Sequence, residues 1–131
     1  MAEAPQTRHL GMGYFGASTG AAAALVAAAE LGAQIEAIVC RGGRPDLAAD
    51  AVPAVVAPTL LIVGSQDTHV LRLNQQVLAR LRCEKELLVV QGATHLFEEA
   101  GALEAVAQHA GLWFGRHLKN DVLQPQSRPL S

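Results

Sequence analysis

Aromatic side chains are scarce in this sequence, at 4% of its 131 residues, and charged residues are thin at 17%. The charges also nearly cancel: ten Lys and Arg face twelve Asp and Glu, a formal net charge of −2. Without a basic excess the chain lacks the footprint of a nucleic-acid binder, so no nucleic-acid partner is expected. Cysteine is nearly absent. Cys40 and Cys83 show neither CxxC spacing nor a disulfide framework, which fits a reducing cytoplasm. Long hydrophobic runs are missing too. The longest, residues 21–29, is short and mostly alanine, so no membrane partner is expected. The polar start, residues 1–7, has no hydrophobic stretch of the kind a signal peptide needs. What remains is ample apolar content, 50% of a 13.7 kDa chain, which suits one compact domain rather than a multidomain enzyme.

Apolar patterning divides the chain into alternating elements. Residues 1–8 read as a leader, 9–119 as the domain and 120–131 as a flexible tail containing Pro125 and Pro129. Within the domain, residues 9–16 form a glycine-rich strand that runs into Ser18-Thr19-Gly20 and an alanine-rich helix ending near Leu31, with Gly32 just past its end. Residues 35–40 and 59–64 are apolar and partly β-branched, as strands buried on both faces are. Asp46 is expected to cap a short helix over 47–52. Helical spacing of Val70, Leu71, Leu73, Val77, Leu78 and Leu81 predicts a helix over 69–82; a strand follows at 86–91 and an amphipathic helix at 101–118. Strands alternating with helices through short loops imply a three-layer α/β/α fold on a mostly parallel sheet of about four strands. In such sheets function gathers at the carboxyl ends of the strands.

Three residues fall there. Gly16-Ala17-Ser18-Thr19-Gly20 is a G-x-S-x-G turn between a strand and a helix. A serine on so tight a turn projects its hydroxyl off the sheet, while small neighbours let strand and helix pass closely. The helix end behind it offers free N–H groups, Thr19 first, to a developing oxyanion. A serine here also serves as an ordinary helix cap. Asp67 follows the third strand and His95 the fourth; alone, the first is an Asx turn and the second a packed loop histidine. Together, the order Ser, Asp, His at three strand ends favours a catalytic triad. His95 would take the Ser18 proton, and Asp67 would hold the imidazole.

These residues resemble the α/β-hydrolase superfamily, and within it the dienelactone-hydrolase-like esterase group. The resemblance runs over residues 10–118 and rests on FGASTGAAAAL (15–25), RGGRPDLA (41–48), APTLLIVGSQD (57–67) and QGATHLFEE (91–99). It implies a nucleophile at Ser18, an acid at Asp67, a base at His95 and an oxyanion amide at Thr19, with no cofactor and no metal. The implied substrate is a small ester or lactone. Dienelactone hydrolases proper use a cysteine nucleophile, so the serine points to the broader esterase-like relatives. Relatives with the Gly-Ala-Ser-Thr-Gly form can be joined to a phosphoribosyltransferase domain, which is not expected within these residues. The family's sheet has about eight strands, each parallel strand-helix-strand unit taking roughly 30 residues, so this chain resembles its last four units, a truncated α/β-hydrolase fold. The loop that gives the second oxyanion amide belongs to the other half; one such donor is worth roughly 3 kcal/mol. The first strand, central in the family, becomes an open edge here. Self-association as a homo-oligomer, a separately made N-terminal half, or a truncated and weakly active product is therefore expected.

Other motifs point elsewhere. Gly11-Met12-Gly13-Tyr14-Phe15-Gly16 matches the dinucleotide fingerprint G-x-G-x-x-G, but no strand precedes it. Arg41 and Arg44 suit either an acidic substrate or, as the favoured reading, a solvated glycine-rich loop. His109 and His117 fall two turns apart on the last helix without Cys or carboxylate partners and are expected at the surface. Cys40 is expected in the core, and Trp113 and Phe114 against the sheet. A non-catalytic reading also stands beside the hydrolase: a degenerate half serving as an interaction or assembly module.

Overall fold

A computed structural model describes residues 12–118. Four strands form one sheet in the order β1-β2-β3-β4: β1 Gly13–Ala17, β2 Ala37–Arg41, β3 Thr59–Gly64 and β4 Lys85–Val90. All three pairings are parallel, with Phe15 opposite Val39, Cys40 opposite Leu61 and Ile62 opposite Leu88. Three helices connect and follow them: α1 Thr19–Leu31, α2 Thr68–Arg80 and α3 Ala102–His117. The expected leader and tail lie outside the described residues.

Alternation along β2 and β3 assigns the two faces. Ile38, Cys40 and Leu61 pack with Leu25 and Ala28 of α1, Val77 of α2, and Val52 and Val55 of the connector. Val39, Leu60 and Ile62 turn the other way, toward Phe97 and toward Val106, Ala110 and Trp113 of α3. The middle layer is therefore sealed on both sides, and every residue of β3 is buried. Each fully buried Val, Leu or Ile adds about 1.5–3 kcal/mol, which is why these two strands need no polar alternation. Trp113 closes the α3 layer, its indole N–H donating to the Pro58 carbonyl at 3.2 Å. Cys40 is fully buried as expected, and burial pushes its thiol up to about 12.

Three expectations are corrected. No α-helix covers 47–52. Two 3₁₀ turns, Pro45–Ala48 and Val52–Ala54, stand there instead. Pro53 disfavours the α conformation at Val52 before it and cannot donate to Ala49, so an α-helix is discouraged at its last residue and cannot be continued. Asp46 caps nothing: its carboxylate takes two hydrogen bonds from Arg44, at 3.0 and 2.9 Å. That contact holds the Asp46 carboxyl below its ordinary range. His117 is not a surface residue. Its side chain is 11% exposed, its ring lies 4.4 Å from that of Trp113, and Glu84 sits 3.4 Å from its Nε2. His109 is exposed.

Candidate active site

The chain leaves β1 at Ala17 and enters α1 at Thr19, so Ser18 alone makes the turn. It does so at φ 52° and ψ −124°, a region almost reserved for glycine. The turn is held on both sides. The Ser18 N–H donates to the Arg41 carbonyl at 3.2 Å, and the Ser18 carbonyl accepts from Ala21 and Arg44, both at 3.1 Å. Close approach makes the turn possible. A Cβ on Gly16 would lie 2.7 Å from the Gly20 carbonyl carbon and 2.8 Å from the Ala21 Cα, so only glycine lets α1 come this near β1. The Ser18 side chain makes no capping hydrogen bond to α1, which removes the ordinary cap as its explanation. The Thr19 N–H lies in the first turn of α1 and has no intrahelical acceptor.

Asp67 precedes α2, after the turn that leaves β3, and it too makes no side-chain cap. His95 lies in the loop after β4. The structure brings the three together in a line: Ser18 Oγ is 3.0 Å from His95 Nε2, and His95 Nδ1 is 2.7 Å from Asp67 Oδ2. The Asp67 side chain is 14% exposed and that of His95 39%, while Ser18 is partly buried. With the carboxylate on Nδ1, that nitrogen carries the proton and Nε2 is left as the acceptor facing the hydroxyl.

Sequence reading missed the His95 loop's own anchor. Glu99 accepts hydrogen bonds from the Thr94 N–H at 3.0 Å and the Thr94 hydroxyl at 2.8 Å, which hold its carboxyl below the ordinary range. Phe97, at φ 58°, then turns back to be fully buried against β2 and β3. The signal was present in the exchange of apolar and polar residues through THLFEE, but a loop has no period to read it by. The Arg41–Arg44 loop is likewise not a solvated turn. Gly42 and Gly43 are buried, the Arg41 guanidinium lies 5.3 Å from the Phe97 ring centre, and Arg44 is spent on Asp46. The dinucleotide fingerprint is undone by placement. Gly13 and Gly16 are part of β1 itself, not of a turn after a strand. Among the described residues no group of three or more His, Cys, Asp or Glu is arranged to hold a metal ion, and no helix is long and apolar enough to cross a membrane.

Over 88% of the chain, fold and sequence both match the solved dienelactone hydrolase of Anabaena variabilis ATCC 29413, with a TM-score of 0.86 and 56% identity. The chain has the fold of the carboxyl half of an α/β hydrolase and over that half is similar to this dienelactone hydrolase. It covers 54% of that hydrolase. The esterase domain of a Rhodothermus marinus protein shares the fold at a TM-score of 0.71 and 18% identity, over 80% of this chain and 61% of its own. No protein-family model matches. Two curated relatives from Mycobacterium tuberculosis, strains CDC 1551 / Oshkosh and ATCC 25618 / H37Rv, are provisionally named phosphoribosyl transferases. Each is 58% identical over 118 residues, 90% of this chain. The chain spans about a quarter of their length, 27%.

Proposed function

We propose that this chain hydrolyses a small carboxylic ester or lactone through an acyl-enzyme on Ser18. One observation carries the reading: the unbroken line from the Ser18 hydroxyl through His95 to Asp67, at 3.0 and 2.7 Å. His95 Nε2 takes the hydroxyl proton as Ser18 Oγ attacks the ester carbon. Asp67 keeps the ring oriented and stabilises the imidazolium that forms. The Thr19 N–H donates to the oxyanion. Collapse of the adduct breaks the ester bond, and His95 returns its proton to the departing alkoxide. Water, deprotonated by His95, then attacks the acyl carbon; collapse breaks the bond to Ser18 Oγ, which takes the proton back from His95, and the acid is released. No step calls for a cofactor.

The transferase name of the longer relatives accords with a hydrolase-like segment joined to a phosphoribosyltransferase domain, the arrangement the resemblance implies. A second reading, an interaction module, draws support from β1. Among the described residues this strand pairs on one side only, and its GYFGA sequence carries no charge to guard the free edge, where Phe15 is half exposed. A fluorophosphonate probe separates the two. The hydrolase reading expects covalent labelling at Ser18 that disappears in His95→Ala. A folded chain that resists the probe would leave the module.

A further inference from the structure

Asn74 is the polar residue that helical periodicity passes over. It sits on the apolar stripe of α2 between Val70 and Val77, and it is completely buried. Its amide donates to the Val70 carbonyl of its own helix at 2.8 Å and to the Gly43 carbonyl, 31 residues away in the chain, at 3.1 Å. A leucine has the same branched shape, though bulkier at its two methyl tips, and no polar atom to satisfy, so the particular contribution of the amide is the bond to Gly43.

What Gly43 belongs to gives that bond its consequence. The loop 42–44 lies against the underside of the Ser18 turn. The Gly42 N–H donates to the Ile62 carbonyl of β3 at 2.6 Å, and the Arg44 N–H to the Ser18 carbonyl at 3.1 Å. Gly43 itself is wedged between the two. A Cβ there would collide with the Ala21 methyl and sit 3.3 Å from the Ser18 carbonyl oxygen. Ser18 holds a backbone conformation that its own residue type disfavours, and such a conformation persists only where neighbours over-determine it. The 42–44 loop supplies one of those neighbours. The same side chain also links this loop to α2, the helix that begins beside Asp67.

Resting on the hydrolase reading above, we propose that Asn74 is a positioning residue for the nucleophile. By tethering Gly43 to α2 it keeps Arg44 on the Ser18 carbonyl, and so keeps the serine hydroxyl at its 3.0 Å approach to His95. It touches no substrate. Its effect falls on the chemical step, because a misplaced reacting atom costs rate rather than binding.

The test compares the wild-type chain with Asn74→Leu; Asn74→Ser, too short to reach Gly43, serves if the leucine variant does not fold. Two readouts are taken together. The first is amide hydrogen exchange at Arg44, which reports the tether without any activity. The second is the rate of fluorophosphonate labelling, with kcat and KM on a p-nitrophenyl ester. The expected result is Arg44 exchange faster by tenfold or more, labelling and kcat down by roughly ten- to a hundredfold, KM within about twofold, and a melting temperature lowered by a few degrees with the fold retained by circular dichroism. Unchanged exchange, or faster exchange with undiminished labelling, would overturn the proposal. Wild-type chain that does not label, with the exchange difference intact, would overturn the hydrolase reading and leave the tether supported.

Discussion

The two ends of the sheet are built on opposite lines. At the amino end, polar side chains serve the backbone. The Trp113 indole donates to the Pro58 carbonyl, the Thr59 hydroxyl to that of Ala57, and Lys85 to the Leu78 carbonyl in the last turn of α2 and the Leu81 carbonyl just past it. At the carboxyl end, the side chains of Ser18, Asp67 and His95 serve one another instead, and the backbone bends to present them. Both non-glycine residues with positive φ among those described, Ser18 and Phe97, are found at that end. One end spends its polar groups on stability. The other holds strain, which marks a place where geometry serves something besides folding.

Breaking that contrast at the carboxyl end should have the largest effect. Asp67→Asn should leave the fold intact and lower kcat for an activated ester by roughly 10⁴-fold, because an amide cannot hold the imidazole in the required tautomer. Steady-state kinetics beside circular dichroism checks this. Ser18→Gly should abolish labelling and yet raise stability by about 1–2 kcal/mol, since glycine occupies φ 52° without penalty. Ser18→Ala, which keeps the Cβ, should not gain that stability. Urea melts of the two variants separate them.

The amino end should answer in reverse. Trp113→Phe, which loses the bond to Pro58, should cost about 1 kcal/mol in a urea melt and leave the Ser18 labelling rate unchanged. The smallest effect belongs to Glu99. Its carboxyl titrates below the ordinary value of 4.5 because Thr94 hydrogen-bonds the charged form, so its stabilising contribution is present above that value and fades as pH falls through the lower, folded one. The difference in melting temperature between wild type and Glu99→Gln should therefore be seen at pH 7 and close in acid. A difference that grew in acid would contradict the assignment.

Legibility in the sequence follows the same division. Buried strands announce themselves by composition, and the strand expected at 59–64 is β3 residue for residue. Helix limits came within a residue or two for α2 and α3, since periodicity marks a helix's face better than its ends. Ser18, Asp67 and His95 could be named in advance because each follows a strand, and topology alone carries such positions to one rim. The supports of that rim could not. Glu99 and Asn74 act through single carbonyls and amides remote in sequence or hidden in a loop, where no period applies. The short helix expected over 47–52 failed for a local reason that the sequence did contain: Pro53.

The central claim is that the Ser18 oxygen becomes the acyl acceptor. Rapid mixing of the full chain with p-nitrophenyl acetate, followed by intact-mass and peptide analysis of acid-quenched samples, tests it directly. The account predicts a burst of p-nitrophenol of about one equivalent per chain, with a single acetyl group on the peptide containing Ser18 and none in His95→Ala. Steady release without a burst or acyl adduct, or an acetyl group carried by any other residue, would contradict it.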